Sequence, residues 1–249
     1  MKYSIVFPGQ GSQSLGMLSD LRSNFSVVND IFQEASDAIN VDLWKIINED
    51  EDLLNLTENT QPVMLAAGYA TYKVLASEAN LTPTSIAGHS LGEYTALVAS
   101  GSLSFFEAVK LVRKRAELMQ AAVPSGSGSM AAILGLDDVK IIEICSIANK
   151  IGIVEAVNFN SPGQVVIAGE KNSVAHACEL MKEAGAKRAL VLPVSVPSHC
   201  SLMKDAAIDF KNSVETLNFQ MGSKKVLHNV DADFSSNIEE IKSKLVEQL

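Results

Sequence analysis

The chain has 249 residues, of which 47% are hydrophobic and 20% are charged, and its formal net charge is −9. These values are typical of a globular protein of one or two domains, and the negative charge argues against nucleic acid as the main partner. No apolar run approaches the ~18 residues of a membrane span, and the residues before Pro8 do not resemble a signal peptide. Three scattered cysteines, Cys145, Cys178 and Cys200, are typical of reduced thiols, so we expect a cytoplasmic protein.

The first predicted element is a strand from Tyr3 to Phe7, which ends at Pro8 and leads into a glycine-rich turn at 9–11. A dinucleotide-binding fingerprint needs a third glycine that here comes two positions late, at Gly16. A triphosphate-binding loop needs a lysine and a hydroxyl where the chain has Met17 and Leu18. The turn therefore either holds an oxyanion with its backbone N–H groups or only connects a strand to a helix.

Further along, residues 60–77 predict a helix with Thr60 as its N-cap. The stretch TSIAGHSLGEYTALVASG predicts a short strand, a sharp turn and a helix that ends before Gly101. Another helix follows and is ended by Pro124. From there the pattern changes to β-α-β-β-α-β, which is typical of a ferredoxin-like module. We therefore expect an α/β core domain at 1–125 and 197–249 with a ferredoxin-like insert at 126–196.

The sharp turn carries the pattern G-x-S-x-G at Gly88–Gly92, in the strand–turn–helix context of a nucleophile elbow. Its glycines permit a crowded turn, and its serine, Ser90, lies at the exposed apex. The alternative interpretation is a turn of small residues that only packs a helix on a sheet.

A nucleophilic serine needs a general base, and the chain has four histidines. His199 follows Ser90 in chain order and comes just after a predicted strand, which favours it. The neighbour His89 cannot easily face the serine, His176 lies in a helix of the insert, and His228 fits a structural role. No acid stands out as the partner of His199, so a backbone carbonyl is a possible orienting group. The histidines and cysteines show no zinc spacing, so we expect no metal site.

Arg115 falls near the middle of the apolar side of its predicted helix, while Lys110, Arg113 and Lys114 lie on the opposite side. An inward arginine needs an anion, because burial without a partner is costly. That anion is either a buried Asp or Glu or the carboxylate of a substrate, which a planar guanidinium binds through two hydrogen bonds.

Over its full length the chain resembles the bacterial malonyl-CoA:acyl carrier protein transacylases. The resemblance rests on several motifs in the same order: FPGQGSQ, TQP, GHSLGEY, RAELMQAAVP, NFNSPGQVVIAG, GAKRAL, PVSVPSHC and EQL. It implies a hydrolase-like α/β core with a parallel central sheet and a ferredoxin-like insert. Family members continue past EQL with a tryptophan-containing segment, so the resemblance also implies that this chain is C-terminally truncated relative to the family.

The resemblance also implies a role for each matching residue. Ser90 would be the nucleophile, His199 its general base and Arg115 the partner of the malonyl carboxylate. The backbone N–H groups of Gln10 and Leu91 would form the oxyanion hole. Two further roles are implied. The backbone carbonyl of Gln248 would orient His199, and the site would be lined by Gln61, Met119 and Asn160.

The sequence thus predicts an acyltransferase that takes a malonyl group from malonyl-CoA, its substrate, and gives it to acyl carrier protein, without a bound cofactor. The elbow alone fits a serine hydrolase or thioesterase equally well. A catalytically inactive module that only docks a carrier protein is a third interpretation. We expect neither nucleic acid nor a membrane as partner.

Overall fold

The computed structural model describes residues 3–79, 82–194 and 196–249. Its strands are β1 Ser4–Phe7, β2 Ser85–Gly88, β3 Gly128–Leu134, β4 Val154–Ser161, β5 Gln164–Glu170, β6 Arg188–Val191 and β7 Lys225–Leu227. Its α-helices are α1 Ser19–Asn24, α2 Ser26–Ile39, α3 Leu43–Glu49, α4 Glu51–Asn55, α5 Thr57–Glu78, α6 Gly92–Ser100, α7 Phe105–Ala121, α8 Asp138–Ala148, α9 Lys171–Glu183, α10 Lys204–Glu215 and α11 Ile238–Glu247. The fold is therefore mixed α/β. None of the helices in the described ranges is long and apolar enough to cross a membrane.

The chain forms two compact units. The first comprises Met1–Glu117 and Phe210–Gln248, and the second comprises Leu118–Asp209 and Leu249. The boundaries between the two units fall inside helices, since the first segment of the first unit ends within α7 and its second segment starts within α10. The predicted insert, 126–196, lies inside the second unit.

The first unit contains a parallel sheet in the order β1-β2-β7, with Phe7 opposite Gly88 and Ile86 opposite Val226. The carboxyl ends of parallel strands meet at one edge of a sheet, where α/β proteins commonly bind ligands. At that edge β1 leads into the glycine-rich turn, β2 into Ser90, and β7 into His228 and Asn229. The sheet therefore gathers three loops from distant parts of the sequence.

Helix α5 differs from its prediction at its start. It begins at Thr57, so the prediction of Thr60 as N-cap is wrong: the Thr60 hydroxyl donates to the carbonyls of Leu54 and Leu56 instead. Pro62 lies inside the helix, where it cannot donate to the carbonyl of Glu58 four residues earlier. That carbonyl accepts a hydrogen bond from Arg113 Nη1 at 3.1 Å, so α7 satisfies the group that proline leaves open.

The second unit contains an antiparallel sheet in the order β4-β5-β3-β6, with the connectivity β-α-β-β-α-β. Alternate residues of β5 point to opposite faces, as expected for a strand. Val165 and Ile167 pack with residues of α8 and α9 in one buried cluster, while Val166 and Ala168 belong to a second cluster with Cys200. Both faces of this sheet are therefore covered.

Candidate active site

Ser90 lies at the apex of the turn between β2 and α6, with a positive φ of 49°. The two glycines of the motif are required by the close approach of its backbone segments. A Cβ on Gly88 would overlap the backbone of Gly92, and a Cβ on Gly92 would overlap the carbonyl of Phe7 in β1. The strained serine conformation and these contacts are those of a nucleophile elbow.

The glycine-rich turn after β1 lies against this elbow. A Cβ on Gly9 would come within 2.7 Å of the carbonyl oxygen of His89, so only glycine fits there. The side chain of Gln10 donates to the hydroxyl of Thr57 at 3.1 Å, which fixes the turn against the start of α5. Leu91 is buried at the beginning of α6. The turn and the elbow are therefore neighbours, as an oxyanion site between Gln10 and Leu91 requires.

Arg115 is 1% exposed, which confirms that it faces inward from α7. Its Nη1 donates to Gln61 Oε1 at 3.0 Å, and its Nη2 donates to Gln248 Oε1 at 3.0 Å and to Ser90 Oγ at 3.2 Å. Its Nε is buried without a hydrogen-bond partner among the described residues. All three acceptors are uncharged, and within the described ranges the guanidinium forms no ion pair with an Asp or Glu.

Gln61 and Gln248 are only 1% and 6% exposed. Their amide groups are therefore held in place around the Arg115 guanidinium. The Arg115 guanidinium also lies over the ring of Tyr94, at 5.4 Å from the ring centroid. Burial raises the pKa of the Tyr94 hydroxyl, and the positive charge of Arg115 opposes that rise. Tyr94 therefore stays neutral and does not supply the missing negative charge.

The structure adds three residues that the sequence analysis did not assign to the site: Glu93, His228 and Asn229. Glu93 is fully buried, and its carboxylate accepts from His228 Nδ1 at 2.7 Å. Asn229 accepts from the backbone N–H of Ser90 at 2.8 Å through its Oδ1 and donates to Glu93 through its Nδ2. The sequence offered two signals: an acidic residue three positions after the serine, and a polar pair directly after the stretch KKVL.

The other predicted residues lie in the second unit. His199 is half-buried, has a positive φ of 66°, and donates its backbone N–H to the carbonyl of Leu249 at 3.1 Å. Met119 is buried in α7, and Asn160 is exposed on β4. His176 is exposed on α9, in agreement with a surface role.

The cysteines are poor alternatives to Ser90 as nucleophiles. Cys145, Cys178 and Cys200 are all buried and free of disulfides. Burial raises the pKa of Cys145 to about 12 and that of Cys200 to about 11, and it also raises the pKa of Cys178. A thiol attacks as its thiolate, so these three remain unreactive near neutral pH.

Comparison with known proteins agrees with this geometry. The family profile of the acyl transferase domain matches residues 4–239. A malonyl CoA-acyl carrier protein transacylase of Haemophilus influenzae is 51% identical over 250 residues, covering 100% of this chain and 80% of its own length. The chain belongs to the malonyl-CoA:acyl carrier protein transacylase family. It is an acyltransferase.

Other members of the family show the same similarity in sequence and structure. The transacylase of Escherichia coli strain K12 is 48% identical and is covered over 81% of its length. The crystal structure of an acyl carrier protein S-malonyltransferase from Vibrio cholerae matches with a TM-score of 0.96 at 49% identity, covering 100% of this chain and 82% of its own. A malonyl-transacylase solved in complex with the acyl carrier protein of a type II polyketide synthase gives a TM-score of 0.98, also at 49% identity, with 100% of this chain and 81% of its own covered.

Proposed function

We propose that this chain transfers a malonyl group from malonyl-CoA to the phosphopantetheine thiol of an acyl carrier protein, through a malonyl ester on Ser90. The observation that supports it best is the position of the buried Arg115 Nη2, 3.2 Å from Ser90 Oγ. In a malonyl group one methylene separates the reacting carbonyl carbon from the carboxylate carbon, so these two carbons are only about 2.5 Å apart. A cation beside the nucleophile therefore suits an acyl group with a carboxylate at this short distance.

The proposed reaction has two matching halves. Ser90 Oγ attacks the thioester carbonyl and gives its proton to His199, the carbon–sulfur bond breaks, and coenzyme A leaves with that proton. The thiol of the carrier protein then gives a proton to His199 and attacks the ester, and Ser90 recovers its proton as the malonyl group leaves. The backbone N–H groups of Gln10 and Leu91 would stabilise the oxyanion in both halves.

His199 is assigned as the base because of the family resemblance and its place in the sequence. The backbone N–H of His199 donates a hydrogen bond to the carbonyl of Leu249, the residue after Gln248. This bond supports the proposal that the Gln248 carbonyl orients the imidazole. Gln61, Met119 and Asn160 would line the acyl site, and no step of the proposed reaction requires a cofactor.

We also propose a finer classification of the fold. The parallel sheet and elbow of the first unit suit a hydrolase-like core. The strand order β4-β5-β3-β6 with the connectivity β-α-β-β-α-β suits a ferredoxin-like subdomain at 126–196. The buried, reduced cysteines suit a cytoplasmic location, where acyl carrier protein would be the partner.

Mass spectrometry of tryptic peptides after incubation with malonyl-CoA tests the proposed function. We expect a stable malonyl ester on the peptide that contains Ser90, and none in Ser90→Ala. Loss of the ester to water within one turnover would indicate a hydrolase, and no adduct in the unchanged chain would indicate an inactive docking module. In the same assay His199→Ala should slow acylation about a hundredfold or more, while the exposed His176→Ala should not.

A further inference from the structure

The buried carboxylate of Glu93 lies directly beneath the elbow, and the proposed reaction does not use it. It accepts hydrogen bonds from His228 Nδ1 at 2.7 Å, the Asn229 backbone N–H at 2.9 Å, Asn229 Nδ2 at 2.5 Å and Gln248 Nε2 at 2.8 Å. We infer that Glu93 is a positioning residue, which holds the nucleophile and the carboxylate-binding arginine in one arrangement through Asn229 and Gln248. This inference rests on the proposed roles of Ser90 and Arg115.

The first arm of this arrangement fixes the backbone of Ser90 from both sides. Asn229 Oδ1 accepts from the Ser90 N–H at 2.8 Å, and Gln248 Nε2 donates to the Ser90 carbonyl at 3.1 Å. Asn229 Nδ2 also donates to the carbonyl of Gly88 at 2.6 Å. Ser90 has a φ of 49°, which a non-glycine residue keeps only when its surroundings enforce it. The two amide side chains hydrogen-bond to the backbone on both sides of this residue and so help to enforce its conformation.

The second arm reaches Arg115. The amide of Gln248 donates from Nε2 to Glu93 and accepts at Oε1 from Arg115 Nη2, so it lies between the buried anion and the buried cation. Turning this amide over would set its NH2 group against the guanidinium and its oxygen against the carboxylate. Glu93 therefore determines which end of Gln248 faces Arg115.

A carboxylate is the side chain that suits this position. Four donors converge on Glu93, and an ionised carboxylate has about four acceptor sites and no proton of its own. The bonds from Asn229 and Gln248 all end on Oε2, while His228 Nδ1 faces Oε1. The amide oxygen of a glutamine carries no charge, so its hydrogen bonds to Asn229 and Gln248 would be weaker, and both amides would be held less firmly. The substitution Glu93→Gln thus changes the hydrogen bonding with little change of volume.

Three variants test the inference, with two readouts: the rate of Ser90 labelling by a fluorophosphonate, and the ratio of kcat/KM for malonyl-CoA to that for acetyl-CoA. Asn229→Ala should slow labelling on the order of a hundredfold and leave the ratio unchanged, because Gln248 still donates to Glu93 and still accepts from Arg115. Gln248→Met should slow labelling and also lower the ratio, because it removes the acceptor of Arg115. Glu93→Gln should reproduce both effects.

The exposed Glu143→Gln, on α8, is the matched control and should change neither readout. A purely structural role for Glu93 would lower the melting temperature while the folded enzyme kept its labelling rate and its ratio within about twofold of the unchanged chain. That result would overturn the inference. If Glu93→Gln does not fold, the comparison of Asn229→Ala with Gln248→Met tests the inference. The same ratio of kcat/KM for malonyl-CoA to that for acetyl-CoA in these two variants would overturn the inference.

The labelling readout also separates this inference from the proposed function. Fluorophosphonate reacts with an activated serine whether or not the enzyme accepts malonyl groups. Absence of a malonyl adduct in the unchanged chain would contradict the proposed function. Unaltered labelling in folded Asn229→Ala and Glu93→Gln would contradict the positioning role, even where malonyl transfer is observed.

Discussion

Arg115 shows most clearly how one residue limits the chemistry of this site. Its burial was predicted from the apolar side of its helix, but the identity of its partners was not. The structure gives it three neutral acceptors and leaves its Nε without a partner in the described part of the chain. The groups that accept from this cation are neutral, and the buried Glu93 carboxylate reaches it only through the amide of Gln248, so the guanidinium can still bind an anionic ligand directly.

We therefore expect Arg115→Ala to lower kcat/KM for malonyl-CoA by roughly 2–5 kcal/mol in transition-state free energy, the cost of truncating one partner of a buried charge pair. Activity on acetyl-CoA, which has no carboxylate, should change much less. Steady-state kinetics with both substrates measure the difference, and a thermal melt shows whether the fold is affected.

Arg113→Ala is the matched control, since Arg113 lies on the same helix and pairs with Glu58 and Glu117. We expect it to lower the melting temperature without changing the preference between the two substrates. An equal loss on malonyl-CoA and acetyl-CoA in Arg115→Ala, together with a destabilised fold, would show that Arg115 has only a structural role.

At the scale of elements, the elbow depends on the contact between β2, α6 and β1. The helix begins so close to the two strands that neither glycine of the motif can carry a side chain. Its N-terminus is also directed at the nucleophile, where its partial positive charge favours an alkoxide or an oxyanion. The sequence motif thus encodes a packing requirement as well as a catalytic residue.

Gly88→Ala should lower the free energy of unfolding by about 3 kcal/mol or more, at the upper end for overpacking, because its Cβ would overlap the backbone of Gly92. Gly101→Ala is the control, since Gly101 has a φ of 82° but open space around it. It should cost only the roughly 1–2 kcal/mol of a left-handed alanine. Chemical denaturation of the two variants measures the difference, and equal losses would mean that the elbow relaxes around the added methyl.

At the scale of the whole molecule, the parallel sheet has β1 at one edge. Val6 in this strand is 69% exposed, which is unusual because parallel strands are normally covered on both faces. An exposed edge is also available for pairing with another strand. This chain matches about 80% of the length of its relatives from Haemophilus influenzae and Escherichia coli.

We expect Val6→Thr to change the free energy of unfolding by less than about 0.5 kcal/mol, because the side chain is 69% exposed and makes little contact with the core. Ile86→Ala is the contrasting change in β2, where the side chain is fully buried, and it should cost roughly 2–5 kcal/mol. Chemical denaturation of both variants measures the difference, and a comparable loss in Val6→Thr would mean that the β1 edge is covered.

Much of the fold was predictable because local patterns express it. The first strand is predicted at Tyr3–Phe7 and is observed at Ser4–Phe7, since its apolar run is ended by Pro8 and a glycine-rich turn. The inward side of α7 followed from the 3.6-residue period, and the elbow followed from glycines that only a tight turn requires. The start of α5 was predicted three residues late, because Thr60 suggested an N-cap where the structure uses its hydroxyl inside the helix.

The sequence by itself determined the nucleophile motif, the inward arginine and, through the order of its motifs, the family. Only the tertiary structure decided what surrounds them. Asn229 meets the elbow and Glu93 because β2 and β7 end at the same edge of the parallel sheet, and Gln248 reaches them from the end of α11. The resulting hydrogen bonds join residues more than 130 positions apart. Such contacts leave no periodic pattern in the sequence, because a buried polar side chain is placed by its partners rather than by its neighbours in the chain.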